Sequence, residues 1–357
     1  MSWTDIALLV AVVIGLVVGT AAVALLISRR HRRARPSPEP SYRPPGMRLP
    51  AVVVNPTRFD DLAAVHAQIT EVCTELGWAE PLWLETTAED PGLGQARAAL
   101  AAGADVVLVC GGDGTIRNVA QVLAGSGTAL GLLPAGTGNL LARNLAVPLS
   151  DPAEATRAAL SGENRRVDVG RVRIDDAAQE QVFLVMAGMG FDAAIMAGAE
   201  SGLKARVGSL AYFISGMREL KGPQLRISLD MDDQPELRRR VRTIVVGNCG
   251  KLLAGLVLMP AAKVDDGLLD VVTIAPKGII GWVAVAARVM TRRRSGHPRV
   301  EHWQCAAVSI EAEGPQQAQF DGDPVGEAQV LRIRIDSGAL QVRVQASAER
   351  PDAPTTR

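Results

Sequence analysis

Between residues 50 and 146, short apolar runs alternate with longer segments in which apolar residues recur every three or four positions. The short runs predict buried strands, and the longer segments predict amphipathic helices. The predicted strands cover residues 52–55, 81–86, 106–110 and 130–133, and the predicted helices cover residues 60–76, 94–102, 116–123 and 140–145. Strands that alternate with helices are typical of a doubly wound, mostly parallel sheet with ligands at its carboxyl edge. We therefore predict an α/β domain over residues 50–162.

The pattern changes after this domain. Segments that are rich in β-branched residues, several of them alternating, recur as far as residue 344 and predict antiparallel strands. Two helical segments interrupt them, near residues 210–220 and 279–290. We therefore predict a second, mainly antiparallel β domain over residues 163–338.

The N-terminal segment has a different pattern again. Residues 6–27 contain no charge and no proline, and 22 residues of helix extend ~33 Å, compared with ~30 Å of bilayer hydrocarbon. Five arginines follow within residues 29–35, which predicts a single transmembrane helix with the following domains in the cytoplasm, at the cell membrane. A cleaved signal peptide is the alternative, but it would need a basic start and a shorter apolar run. Residues 28–49 are basic and rich in proline and predict a tether.

Composition adds two limits. The formal net charge of the 357 residues is zero, which argues against a nucleic-acid partner. The four cysteines lie far apart with no CxxC spacing, as expected for reduced thiols in the cytosol.

Two glycine-rich turns carry the candidate chemistry. The sequence GGDGT, residues 111–115, follows the predicted strand 106–110, and GTGN, residues 136–139, follows the next strand. A glycine turn between a strand and a helix presents backbone N–H groups and a positive helix end to a phosphate. One such turn is often only a tight connection, whereas two on neighbouring strands predict one phosphate-binding mouth. Thr115 is predicted to cap the following helix, and the Asp113 carboxylate suggests bound Mg²⁺ or a hydrogen-bonding role.

These turns and several further motifs, in this order, resemble the diacylglycerol kinase catalytic family, which includes bacterial soluble lipid kinases and sphingosine and ceramide kinases. The resemblance extends from about residue 52 to residue 344. The further motifs are Asn55-Pro56, VDVGRV at residues 167–172, GMGFDA at 188–193, KVDDGLLDV at 263–271 and FDGD at 320–323. The resemblance implies a β-sandwich second domain and a final strand, residues 340–344, that returns to the first domain.

The resemblance also implies the residues that bind ATP. These are Asn55, Pro56, Thr86, Gly111, Gly112, Asp113, Gly114, Thr115, Gly136, Thr137, Gly138 and Asn139. The chain departs from the family in two places here. Thr57-Arg58-Phe59 replaces a loop that usually contains glycine, and Leu140 replaces an aspartate that is common in bacterial members. The second departure moves the chain toward the sphingosine and ceramide kinase pattern.

The acidic motifs are assigned by the same resemblance. Asp323 occupies the position of the catalytic base, which is usually glutamate, and Asp321 would orient it or help to bind metal. A simple hairpin turn is the alternative for these residues. Lys263, Asp266 and Leu268 resemble a structural Mg²⁺ loop, for which a plain Asp-Gly turn is the alternative.

Together these features predict an ATP- and Mg²⁺-dependent lipid kinase at the cell membrane. It would phosphorylate the primary hydroxyl of diacylglycerol or a sphingoid-like lipid, giving phosphatidic acid or an analogous lipid phosphate. The alternatives are an NAD kinase-like enzyme, although the Asn-Glu pair typical of that family is not found, and a non-catalytic membrane-tethered lipid-binding protein. A homodimer is left open.

Overall fold

A computed structural model describes residues 46–190, 224–232, 234–251, 257–276 and 300–345. The predicted transmembrane segment 6–27, nearly all of the tether, and the predicted helices near 210–220 and 279–290 lie outside these residues. Within the described part of the chain, no helix is both long enough and apolar enough to cross a membrane.

The first domain alternates strands and helices as predicted. Its strands are β1 (Pro50–Val54), β2 (Leu82–Glu85), β3 (Val106–Gly111) and β4 (Ala129–Pro134). Its helices are α1 (Leu62–Glu75), α2 (Leu93–Ala101), α3 (Asp113–Leu123), α4 (Leu140–Asn144) and α5 (Pro152–Ser161), with a 3₁₀ turn at Pro56–Arg58. The four strands pair in parallel in the order β2-β1-β3-β4. This arrangement confirms the predicted α/β class.

The apolar runs form strands because both faces of the sheet are covered. Val52 and Val54 pack into one apolar cluster, whereas Val53, between them, packs into the other. Helix α3 buries Ile116, Val119, Ala120 and Leu123 against the sheet. This spacing is the stripe of an amphipathic helix. The opposite face of α3 is left for polar residues at the carboxyl edge.

The second domain is mainly antiparallel, also as predicted. Its strands are β5 (Glu163–Ile174), β6 (Gln181–Phe183), β7 (Met186–Met189), β8 (Leu225–Met231), β9 (Leu237–Val241), β10 (Thr243–Gly247), β11 (Leu269–Ile274), β12 (Val300–Cys305), β13 (Ala307–Phe320) and β14 (Asp323–Val344). Strands β12, β11, β10, β7 and β13 are neighbours in that order, and β13 pairs with β14.

Strand β14 joins the two domains. It pairs with β13 and β5 in the second domain, and its Val342 pairs in parallel with Leu130 of β4. The final strand therefore reaches the sheet of the first domain at Val342. The sequence analysis ends the second domain at residue 338 and begins the final strand at residue 340, whereas the observed strand is continuous from Asp323 to Val344. As a result, one strand connects the acidic turn 321–323 with the parallel sheet.

Candidate active site

The two glycine turns meet at the carboxyl edge of the parallel sheet. Strands β3 and β4 are neighbours with Gly111 opposite Pro134, so the turns that follow them lie side by side. A methyl group added to Gly136 would lie only 2.8 Å from the Cα of Gly112. The prediction that the two turns form one mouth is confirmed.

This mouth opens into a cavity of about 370 Å³. It is lined by both glycine turns, by the polar face of α3 and by the acidic turn of the second domain. The lining residues are Arg58, Pro91, Gly112, Asp113, Gly114, Thr115, Arg117, Asn118, Gly136, Thr137, Gly138, Leu140, Asp321, Gly322 and Asp323. The cavity therefore lies between the two domains.

Helix α3 begins closer to the sheet than the sequence predicts. Its first residue is Asp113 and its N-cap is Gly112, so Thr115 lies within the first turn and is buried. The prediction that Thr115 caps this helix is wrong, because the glycine turn is tight enough for the helix to begin three residues earlier. The first-turn N–H groups of a helix have no partner within the helix. Here they lie at the cavity, where an anion is favoured.

Asp113 connects the two turns. Its Oδ1 accepts a hydrogen bond of 2.6 Å from the Leu140 backbone N–H, so the residue that departs from the family pattern contributes through its main chain. Burial raises the pKa of Asp113 to about 6. The hydrogen bond from Leu140 opposes this shift, and the negative charges of Asp321 and Asp323 add to it. The Asp113 carboxyl therefore holds its proton more tightly than a solvated aspartate does.

The second turn is maintained by its own side chains. Asn139 has a left-handed backbone with φ of 48°, and its side chain bonds both the N–H and the carbonyl of Gly136. The Nε of Arg143 donates to the Gly138 carbonyl. Asn139 therefore shapes the loop from outside the cavity, whereas Thr137 lines the cavity.

The predicted residues that follow strands β1 and β2 stabilise the turn and the strand pairing there. The Asn55 side chain accepts hydrogen bonds from the N–H and the hydroxyl of Thr57, which caps the 3₁₀ turn that Pro56 begins. Thr86 is buried, and its N–H donates to the Val54 carbonyl. Five of the residues predicted to bind ATP do not line the cavity, namely Asn55, Pro56, Thr86, Gly111 and Asn139. Arg58, which follows the Asn55-Pro56 motif, does.

The FDGD motif is a two-residue hairpin. Phe320 pairs with Asp323, and the two residues between them have positive φ, 51° at Asp321 and 91° at Gly322. Positive φ at both central residues is typical of a type I′ turn. Residues 320–323 therefore form a hairpin, a geometry that the catalytic assignment shares with the simple-turn alternative. The same turn also brings its two carboxyl groups to the cavity.

These two carboxyl groups differ. Asp321 is buried and accepts hydrogen bonds from three consecutive backbone N–H groups, those of residues 184, 185 and 186. Burial raises its pKa, although the nearby Arg117 charge and these N–H groups act in the opposite direction. Asp323 is 49% exposed and forms an ion pair with Arg117 at 3.0 Å. Asp321 therefore fixes the turn, and Asp323 faces the cavity.

Sequence reasoning missed Arg117. This residue lies four positions after Asp113 on α3, and such a pair occupies the same helix face. That spacing was the available signal. Its partner in the second domain lies 206 positions further along the chain, and no local pattern predicts that contact.

Aspartate side chains hold the loop KVDDGL by accepting hydrogen bonds from backbone N–H groups. The Oδ1 of Asp266 accepts a hydrogen bond from the Leu268 N–H at 3.2 Å, and the buried Asp168 accepts one from Gly267 and one from Gly338. In the described part of the chain, no three His, Cys, Asp or Glu side chains are grouped to hold a metal ion. The observed geometry is an Asp-Gly turn, and a Mg²⁺ site at Lys263, Asp266 and Leu268 stays a prediction.

Comparisons with known proteins are consistent with this arrangement. Residues 51–172 match the model of the diacylglycerol kinase catalytic domain, and residues 185–344 match that of the YegS C-terminal NAD kinase beta sandwich-like domain. A diacylglycerol kinase of Mycobacterium tuberculosis is 32% identical over 253 residues, covering 66% of this chain and 80% of the relative. A probable lipid kinase YegS-like of Pseudomonas aeruginosa is 34% identical, covering 70% and 80%. A crystal structure of a putative diacylglycerol kinase from Bacillus anthracis shares the fold, with a TM-score of 0.66 and 24% identity over 84% of this chain and 97% of that one.

Proposed function

Since the chain belongs to the diacylglycerol kinase catalytic family and is a lipid kinase, we propose that it transfers the γ-phosphoryl group of ATP to the primary hydroxyl of diacylglycerol or a sphingoid-like lipid. The product would be phosphatidic acid or the analogous lipid phosphate. The alternatives raised by the sequence, an NAD kinase-like enzyme and a non-catalytic lipid-binding protein, are less consistent with relatives that are named as lipid kinases.

One observation carries this proposal, namely that two glycine turns and the Asp323 carboxylate face the same cavity. The turns belong to the first domain and Asp323 belongs to the second, so a nucleotide and an acceptor alcohol would meet between them. Phosphoryl transfer depends mostly on positioning and on stabilisation of charge, with a carboxylate to accept the hydroxyl proton. The cavity supplies both kinds of group.

The residues have distinct roles in the proposed reaction. The backbone N–H groups at the start of α3 and in the GTGN turn bind the phosphates. Asp323 accepts the proton of the lipid hydroxyl while the oxygen of that hydroxyl forms a bond to the γ-phosphorus. The bond between the γ-phosphorus and the ADP oxygen breaks at the same time. Asp321 holds the turn through its three N–H contacts.

Mg²⁺ is a fitting cofactor for this mouth. Asp113, Asp321 and Asp323 lie close enough for the charges of the last two to raise the pKa of Asp113. A divalent cation prefers oxygen ligands and would offset the negative charge that these carboxylates bring together. Asp113, which lines the cavity, would provide an oxygen ligand, and the ion would neutralise charge on the phosphates.

Membrane attachment is a separate proposal. We propose that residues 6–27 form a single-pass anchor at the cell membrane and place the catalytic domains in the cytoplasm, because this run is apolar and five arginines follow it. Such an anchor would keep the cavity near its lipid substrate.

The base assignment is tested by Asp323→Asn, with Asp176→Asn as the matched control on a fully exposed turn of the second domain. We expect kcat with lipid to fall by ~10²-fold or more in Asp323→Asn, because loss of a general base typically costs about 10²–10⁴. ATP binding should change little, and Asp323→Glu should retain measurable activity. Wild-type turnover by Asp323→Asn would show that the base has been assigned incorrectly.

A further inference from the structure

Arg117 is the side chain that connects the phosphate-binding helix with the acidic turn. It lies on α3 on the same face as Asp113, and its side chain crosses into the second domain. One terminal nitrogen, Nη1, donates to the Phe320 carbonyl at 2.7 Å and lies 3.0 Å from Oδ2 of Asp323. The Arg117 side chain is only 14% exposed, whereas that of Asp323 is 49% exposed, so the contact is shielded from water on the arginine side.

These two contacts lie at the two ends of one turn. Phe320 and Asp323 are the paired residues that flank Asp321 and Gly322 in the type I′ hairpin. Asp321 anchors the centre of the turn from within the second domain, through its three backbone N–H partners. Arg117 therefore holds the same turn from the side of the first domain.

The ion pair engages only one oxygen of Asp323. Arg117 contacts Oδ2, and Oδ1 has no hydrogen-bond partner among the described residues. A fixed carboxylate with one unengaged oxygen is arranged to accept a proton from a hydroxyl in the cavity. A shift of about 1 Å in such a group can reduce a rate by ~10²-fold.

The other cation at the cavity has a different setting. The Arg58 side chain is exposed and makes no hydrogen bond or ion pair with another described residue. Arg117 is thus distinguished among the lining arginines by its burial and by its contacts with both ends of the acidic turn.

We propose that Arg117 is a positioning residue that holds Asp323 in place for proton transfer by connecting α3 to the acidic turn. This inference rests on the proposed function, because it assigns Arg117 a role that acts through the base. It implies that kcat depends on Arg117 much more than ATP affinity does.

The test is a double-mutant cycle between Arg117→Met and Asp323→Asn, measured as kcat for lipid and KM for ATP. Methionine keeps an apolar stem and removes the charge. We expect Arg117→Met to lower kcat by ~10–100-fold, with KM for ATP within about threefold of wild type. In the Asp323→Asn background, the same substitution should change kcat by less than about threefold, because the residue through which it acts is already lost.

The control is Arg97→Met, which makes the same change at an exposed position on α2 and should leave kcat unchanged. Equal losses in both backgrounds, or no loss from Arg117→Met, would overturn the proposal, and so would wild-type turnover by Asp323→Asn. Hydrogen exchange provides a readout that needs no lipid, since the amides of residues 321–323 should exchange faster in Arg117→Met than in wild type. If the wild type phosphorylates no lipid, the proposed function fails, and unchanged exchange would then show separately that Arg117 does not hold the turn.

Discussion

Asp113→Asn offers a quantitative test of the charge arrangement in the mouth. The Asp113 carboxyl is partly buried near two further carboxylates, and its pKa is raised from 3.8 to about 6. Asparagine keeps an oxygen in the position that accepts the Leu140 N–H and removes the titrating charge. The variant should therefore be more stable than the wild type once Asp113 is ionised.

The size of the effect follows from the pKa. The folded state holds the Asp113 proton more tightly than the unfolded state, so wild-type stability is lost as the pH rises from about 4 to beyond 6. A shift of about two units corresponds to roughly 3 kcal/mol over the whole window, at ~1.36 kcal/mol per unit. About half of this loss has occurred by pH 5, which leaves ~1.4 kcal/mol between pH 5 and pH 8.

Urea unfolding of both proteins at pH 5 and pH 8, without Mg²⁺, measures this difference. Other carboxyl groups titrate in both proteins and largely cancel when the two free energies of unfolding are subtracted. We expect the advantage of Asp113→Asn to grow by ~1.4 kcal/mol from the lower to the higher pH. An advantage that is the same at both pH values would refute the inference that burial and the nearby carboxylates raise the pKa of Asp113.

Three further predictions concern the turns and the N-terminal segment. Gly112→Ala should fold normally but bind ATP weakly, because a methyl group there makes only ordinary 3.7 Å contacts with the protein and blocks the approach of a phosphate. Gly136→Ala should also lose stability, because its methyl group would lie 2.8 Å from the Gly112 Cα. ATP titration and thermal unfolding of both variants check these two expectations. Asp321→Ala should lower the free energy of unfolding by at least ~2 kcal/mol in urea, because three buried N–H groups lose their acceptor, and an unchanged value would contradict that role. Deletion of residues 1–35 should move the protein from the membrane pellet to the supernatant with its fold retained, and full sedimentation of the truncated chain would show that another surface attaches it.

The features that could be predicted from the sequence are those that depend on local chemistry. The two glycine turns were located because each follows an apolar strand, and the strand order then brings them together. Helix α5 was missed although its signal was present, since Asp151 caps it and Pro152 is its first residue. Thr115 was misassigned because a glycine N-cap allowed the helix to begin earlier.

Other parts of the site depend on tertiary contacts. Asn55 and Thr86 directly follow their strands, but the Asn55 side chain caps the next turn and the Thr86 N–H bonds the neighbouring strand, and neither residue lines the cavity. The contact of Arg117 with Phe320 joins residues 203 positions apart, one on α3 and the other at the end of β13. No sequence periodicity encodes such a contact.

The central claim is that this chain transfers the γ-phosphoryl group of ATP to a lipid hydroxyl. The most direct measurement is the incorporation of radiolabel from γ-labelled ATP into lipid by the purified full chain, with Mg²⁺, across mixed micelles of diacylglycerol, sphingosine and ceramide and in a lipid-free control. We expect a labelled lipid phosphate with at least one of these lipids, absent from the lipid-free control and reduced ~10²-fold or more by Asp323→Asn. Label in none of these lipids, or label that Asp323→Asn leaves unchanged, would contradict the account.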